Sequence, residues 1–273
     1  MTNAADFAAL HHTQRPFLLP NAWDVASALL LADAGFAAIG TTSLGVTASA
    51  GLLDGAGAGR DLTLALAREL VSRLPVPLTV DLEGGYSEEP AVVADLAAEL
   101  ADLGVAGINL EDGRPDGGLR AGHTHAAIIG AVVTAAPGLF INARTDTYWL
   151  DVGPEDERLG ETIRRLSAYR DAGASGVFVP GLTDLTDTAL VVTGVAVPVN
   201  VLCRPDGDLD ALAAAGVARV STGSALYRFA VAGALHAAGA YRDGQQPPVA
   251  PIDYDDVQAC LSRTAKGPTS GDG

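Results

Sequence analysis

The sequence predicts an α/β fold, a closed (β/α)8 TIM-type barrel with a C-terminal helical extension. Three observations carry that expectation: the chain length, a recurring helix–glycine–strand phrase, and a count of eight strands. At 273 residues and 27.6 kDa the chain has the usual size of one closed α/β barrel and is short for two full domains. The phrases "ADAGFAAIG", "ADLGVAGINL", "RDAGASGVFV" and "AAAGVARVST" repeat one pattern. In each, a helical segment meets a glycine suited to a left-handed C-cap and then a buried apolar run.

Strands are expected at 17–20, 37–42, 78–83, 106–112, 139–144, 176–180, 198–202 and 218–222. Most are unbroken apolar runs rather than alternating ones, as strands covered on both faces look. Helical periodicity fills 22–34, 62–74, 90–103, 126–135, 155–172 and 209–215. Eight strands alternating with helices is the count of a barrel, and an open doubly wound sheet is the main rival. Residues 43–60 read as a long glycine-rich loop, longer than a simple connection needs. Residues 224–238 and 253–265 read as C-terminal helices, and the polar stretch 266–273 as disordered. With no linker in sight, residues 1–273 are expected to be one domain.

A 48% hydrophobic chain can bury a sizeable core. Its net charge of -16 and pI near 4.5 argue against nucleic acid, whose phosphates it would repel. An anionic substrate is still compatible, since a metal and one or two arginines reverse the local sign. Two cysteines, Cys203 and Cys260, point to a reducing compartment rather than a disulfide framework. There is no apolar run of membrane-spanning length and no secretory signal near the start, so a soluble, cytoplasmic protein is expected.

Catalytic groups of such barrels come from the C-terminal strand ends. In order, those ends carry Thr41, Thr42 and Ser43; Asp81 and Glu83; Glu111 and Asp112; Arg144 and Asp146; Asn200; and Ser221 and Thr222. Asp81 and Glu83, two apart on a strand, point to one face. Glu111 reaches the same space from the next strand, and Asp54 folds over from the loop. Converging carboxylates repel and raise one another's pKa values unless a cation is present. All-oxygen ligands without His or Cys favour a hard ion such as Mg2+. Asp112, Asp146 and Glu89 are the acids best suited to helix capping or pairing with arginine. Arg144, a planar fork at a strand end, suits a carboxylate or phosphate, with an internal ion pair as its plainer role. His123 and His125 read as solvated or helix-starting residues, and His11 and His12 as surface. Cys203 reads as a small buried hydrophobe.

Taken together, "PNAWDVASALLLADAGFAAIGTTSLGV", "VDLEGGY", "GINLEDG" and "INARTD" resemble the isocitrate lyase/phosphoenolpyruvate mutase superfamily, in order over residues 17–225. The resemblance is to its short bacterial-type members. It implies Mg2+ around Asp81, with Glu83, Glu111 and Asp54 contributing directly or through water, and a chelating 2-oxo or 2-hydroxy carboxylate. The substrate carboxylate would meet Thr42, Ser43 and Leu44, as well as the Asp81 metal centre. Arg144 and Glu111 would face the reacting atoms, and Asn200 the distal part of the substrate. It further implies a homo-oligomer, dimer or tetramer, in which the C-terminal helices, residues 224–265, are exchanged between subunits.

One segment departs from the pattern. Lyases of the superfamily carry a Lys-x-Cys-Gly-His loop after the fourth strand, with the Cys as acid/base. Here the stretch reads "EDGRPDGGLRAGHTH", with neither Cys nor Lys, and the Lys and Asn of phosphonate-processing members are also absent. Arg114 or His123 is the candidate replacement. Gly40 stands where the mutase has an aromatic wall, which leaves room for a longer acid. The function expected is Mg2+-dependent making or breaking of a C–C bond beside a 2-oxo acid, as a lyase or decarboxylase. The alternatives are a C–P enzyme (phosphonomutase or phosphonopyruvate hydrolase) and a non-catalytic binder of 2-oxo acids.

Overall fold

The computed structural model describes residues 4–204 and 207–264. The expected polar tail, 266–273, lies outside them. Helix α1 (Ala4–Ala9) precedes strands β1 (Phe17–Leu19) and β2 (Asn21–Ala22), helix α2 (Val25–Asp33) and β3 (Ile39–Thr41). Helices α3 (Ser43–Ser49) and α4 (Arg60–Val71) lead to β4 (Leu78–Asp81), α5 (Pro90–Leu103), β5 (Gly107–Glu111) and α6 (Gly122–Ala135). Then follow β6 (Phe140–Arg144), α7 (Glu155–Asp171), β7 (Gly176–Phe178), α8 (Leu185–Val195), β8 (Val199–Leu202), α9 (Leu209–Ala214) and β9 (Arg219–Ser221). Helices α10 (Ala225–Arg242) and α11 (Tyr254–Thr264) end the described chain.

All strand pairs are parallel, in the order β1-β9-β8-β7-β6-β5-β4-β3-β2. The expected strand at 17–20 is β1, and β2 continues it beyond the expected end into Ala22, a residue expected to begin a helix. The break falls at Pro20, which has no N–H to give to the ladder. The Pro20 carbonyl still accepts the Gly40 N–H at 2.9 Å. The split strand thus pairs with β9 on one side and β3 on the other, and the sheet closes as a (β/α)8 barrel. The open-sheet rival is excluded. The main core lies between strands and helices, with Val80, Ile108, Leu110, Ile141 and Val177 packed against Leu100, Ile128, Ile129 and Leu166. The glycine stop after α5 is explicit: Gly104 takes φ +103° at the C-cap, a left-handed conformation that costs glycine little.

Two further expectations are corrected. Residues 43–49 are helix rather than loop, because "SLGVTAS" buries Gly45, Val46 and Thr47 and starts from an extended Thr42. His11 is buried rather than on the surface. α1 and the short turn after it close the bottom of the barrel, where the His11 ring stacks 4.0 Å from Phe140 beside Phe7 and Phe17. Its Nδ1–H donates to the Phe7 carbonyl at 3.0 Å. Burial lowers the His11 pKa to about 3, so the ring stays neutral. Among the described residues no helix is long and apolar enough to cross a membrane.

Candidate active site at the barrel mouth

The C-terminal strand ends open into a cavity of about 630 Å³. Its wall includes Ser43, Asp54, Glu83, Glu111, Arg144 and Asp146, with Leu53 and Trp149 exposed at the rim. The β5–β6 register makes Glu111 and Arg144 direct partners, and their side chains pair at 2.7 Å. Arg144 also grips Asp146 through Nε at 2.6 Å and Nη2 at 3.1 Å. Its guanidinium lies 5.6 Å from the Phe178 ring centroid. Arg144 is therefore fixed by two carboxylates and an aromatic face on the wall of the cavity. Of its two expected roles, the structure shows the plainer one, the internal ion pair.

Asp81, at the end of β4, accepts the Ser43 N–H at 3.2 Å, while its own N–H donates to Thr41 Oγ1 at 2.9 Å. This ties β4 to the start of α3. Glu83 follows with φ +50°, an unusual backbone for a residue with a side chain. Its buried Oε1 has no hydrogen-bond partner. Burial, then the charges of Asp81 and Asp54, push the Glu83 pKa up to about 7, against the Gly57 N–H and the Tyr86 hydroxyl. Burial likewise raises Asp54, and raises Glu111 well above the usual range despite Arg144.

The set fits a hard cation by the chemistry of its donors. Among the described residues, however, no three His, Cys, Asp or Glu side chains close into a cage by themselves. That arrangement suits an ion that keeps much of its water and takes one or two carboxylates directly.

The other expected residues are dispersed. Arg114 lines the cavity on a hairpin closed by the Gly113–Leu119 bridge, loosely paired with Asp116 at 3.6 Å. His123 is exposed on the first turn of α6 and is not in the cavity wall. His125, about 200° further round the helix, is fully buried. It accepts from Arg120 at 3.2 Å through Nδ1, and Nε2 donates to the Leu110 carbonyl at 3.3 Å. Neither histidine lines the cavity. His123 is exposed at a helix start, as its plainer reading has it, and the burial of His125 corrects the solvated reading for that residue. Thr42 and Leu44 flank Ser43 at the start of α3. Asn200 is buried, and its Oδ1 accepts from Ser221 at 2.9 Å. Cys203 is half-buried, less enclosed than a core hydrophobe, and Cys260 is buried; both are free thiols.

Three arginine and tyrosine positions were not singled out from the sequence. Tyr86 places its hydroxyl 3.1 Å from Thr63 beside Glu83. Arg120 donates to the Gly84 and Ser87 carbonyls at 3.1 and 3.3 Å and to Glu88, so it ties the β4 loop to the hairpin. Arg219, inside β9, is fully buried. An arginine flanked by apolar residues in a run read as a buried strand was the available signal.

The phosphoenolpyruvate phosphomutase family model matches residues 7–242. The chain belongs to the isocitrate lyase/phosphoenolpyruvate mutase superfamily. Within that superfamily it is 44% identical to an uncharacterized protein, Rv1998c, of Mycobacterium tuberculosis, over 93% of this chain and 95% of that one. It is 33% identical to the 2-methylisocitrate lyase of Bacillus subtilis, over 60% of this chain and 55% of the relative. A crystal structure of a putative lyase/mutase from Burkholderia cenocepacia superposes with a TM-score of 0.86 at 38% identity, over 95% of each chain.

The shifted carboxylates give a first expected outcome. Glu83 has a folded pKa near 7 against an ordinary value of 4.5. Its contribution is thus fully present below pH 4.5 and is lost as pH rises through 7. That loss is roughly 2–4 kcal/mol for Glu83, and Asp54 and Glu111 shift in the same direction. Without divalent ions the melting temperature is expected to fall between pH 5 and 8. Added MgCl2 favours the ionised forms, so its stabilising effect should widen over the same interval. Thermal melts at several pH values, with MgCl2 or EDTA, check both slopes.

Proposed function

We propose that the chain is a Mg2+-dependent enzyme that makes or breaks a C–C bond beside a 2-oxo or 2-hydroxy di- or tricarboxylate, of lyase or decarboxylase type. The observation that carries this reading is Arg144, fixed against Glu111 and Asp146 on the wall of a cavity that also holds Glu83 and Asp54. Asp81 would hold the ion, with Glu83, Glu111 and Asp54 contributing directly or through water. The ion would supply Lewis-acid polarisation of the substrate's 2-oxo or 2-hydroxy oxygen. Ser43 and its neighbours Thr42 and Leu44 receive the carboxylate next to it, and Asn200 faces the distal part. Arg144 stabilises the oxygen on which negative charge gathers as the C–C bond opens, a role that needs a fixed donor.

The hairpin that replaces the superfamily's Cys-bearing loop favours decarboxylation over aldol-type cleavage. Carbon dioxide leaves as a neutral product, and the proton that takes its place comes from water at the open mouth or from a group near Arg114. A second reading is a C–P enzyme, favoured by the name of the matching family model.

The test is turnover of a panel of 2-oxo, 2-hydroxy and tricarboxylic acids and phosphonopyruvate by the purified chain with MgCl2. Consumption of a carboxylic acid that EDTA abolishes is expected. Phosphate release from phosphonopyruvate alone would transfer the assignment to C–P chemistry. Thermal stabilisation by the acids with no turnover would make the protein a binder.

The chain is also proposed to work as a cytoplasmic homo-oligomer. α10 buries none of its residues and exposes Phe229 and Leu235, and Val249, Ile252 and Tyr254 beyond it are exposed too. A helix that buries none of its own residues and exposes large apolar side chains suits an interface with another copy of the chain. Light scattering should give a dimer or tetramer mass, and Phe229→Glu with Leu235→Glu should shift it toward monomer.

A further inference from the structure

Below the carboxylate ring the inside of the barrel is polar. Asn109 Oδ1 accepts from Asn142 at 2.9 Å and from Arg219 Nη2 at 3.2 Å. Asn200 Oδ1 is taken by Ser221. Asn200 and Arg219 are register partners on β8 and β9, and Thr79 lies two residues before Asp81 on β4, on the same face. All three residues are buried, Arg219 completely.

Their hydrogen bonds do not balance. Arg219 Nε and Nη1, Asn200 Nδ2 and Thr79 Oγ1 have no partner. The two arginine nitrogens and the amide are pure donors, while Asn109 Oδ1 and Asn200 Oδ1 already accept from Asn142, Arg219 and Ser221. Thr79 Oγ1 and, in the plug beneath, His11 Nε2 are the unpaired atoms of this set able to accept, too few for the five N–H groups those nitrogens carry. A buried guanidinium without a hydrogen-bonded counter-charge is costly. Burial pulls the Arg219 pKa down to about 9, with Asp81 the charge that resists, so the cation persists at neutral pH. Water satisfies such a set poorly, since each molecule that accepts must also find somewhere to donate. An anion that only accepts matches a donor surplus carrying positive charge.

We infer that Arg219, Asn200 and Thr79 form an anion site inside the barrel, beneath the carboxylate ring, that takes a carboxylate or a monovalent anion of similar size. The occupant comes from one of two sources. It is either a free small anion or the distal carboxylate of a bound diacid, and only the second rests on the function proposed above.

Crystals of the whole chain grown in sodium bromide should show an anomalous peak within hydrogen-bonding reach of Arg219 Nη1 and Asn200 Nδ2. In solution, sodium formate should raise the melting temperature by about 2–4 °C over sodium gluconate, too large to enter, at equal ionic strength. The difference should vanish in Arg219→Met and, if that variant does not fold, in Asn200→Leu. No peak together with equal melting temperatures in the two salts would overturn the site.

Mg2+ with 2-oxoglutarate should abolish the formate effect if the distal carboxylate is the occupant. Mg2+ with oxalate, which has no distal arm, should leave it. Persistence under both assigns the site to a free anion. Failure of Mg2+ plus oxalate to stabilise the protein would count against the proposed function while leaving the bromide and formate results to stand.

Discussion

Asp81→Asn should lose the response to MgCl2 and at least about 100-fold in turnover, while its metal-free form melts no lower than the parent at pH 8. The two halves of that result have one cause. Asp81 is among the charges that raise Glu83, Asp54 and Glu111, so without an ion its charge works against the fold. Neutralising it relieves repulsion, and the amide oxygen can keep the Ser43 N–H that Asp81 accepts at 3.2 Å. A residue that mattered only for folding would move both readings downward. Arg114→Ala is the contrast. It sits on the hairpin, with Asp116 at 3.6 Å as its partner, and should keep the full MgCl2 response while changing rate alone. Titration of MgCl2 by thermal shift, beside turnover, separates the cases. A retained MgCl2 response in Asp81→Asn would mean that the ion, if any, is held elsewhere.

The barrel was legible because its signals are local. Apolar runs such as "LTVDLE" and "GINLED" mark strands covered on both faces. The glycines after four helices, Gly35, Gly104, Gly173 and Gly216, all adopt positive φ. Asp81 and Glu111 were legible as strand ends for the same reason. Glu83, by contrast, lies past the end of β4 at φ +50°, so the two-residue strand period does not place its side chain. What the sequence hid depends on closure. The Glu111–Arg144 pair follows from β5–β6 register, and Arg219 meets Asn109 across the barrel from a residue 110 positions away. His11 looked like surface because nothing in "ALHHT" shows that the preceding helix plugs the barrel floor. His123 and His125 could be sorted only once the start of α6 fixed their phase. α3 was missed because glycine and β-branched residues have poor helix propensity, which burial of Val46 and Thr47 overrides.

Asp112→Ala should be the most destabilising of the single changes considered, by about 3–5 kcal/mol, or roughly 10 °C in melting temperature. Asp112 is fully buried, and its carboxylate gathers groups from two segments, the loop after β6 and helix α7. It accepts from Tyr169 at 2.6 Å, Thr145 Oγ1 at 2.8 Å, the Asp146 N–H at 2.9 Å and Arg165 at 3.1 Å. Truncation strands the tyrosine hydroxyl and removes one counter-charge of Arg165, which keeps Glu161 at 2.6 Å and the Arg120 carbonyl at 2.8 Å. The cost therefore lies mainly in the unpaired groups left behind. Asp112→Asn retains an acceptor and the shape, and should lose about half as much. Urea melts on both variants measure the difference. The carboxylate also positions Asp146, which in turn grips Arg144. Turnover of Asp112→Asn, assayed well below its melting temperature, should fall without any loss of MgCl2 affinity. A variant destabilised as expected but fully active would show that Arg144 is held by Glu111 and Phe178 alone.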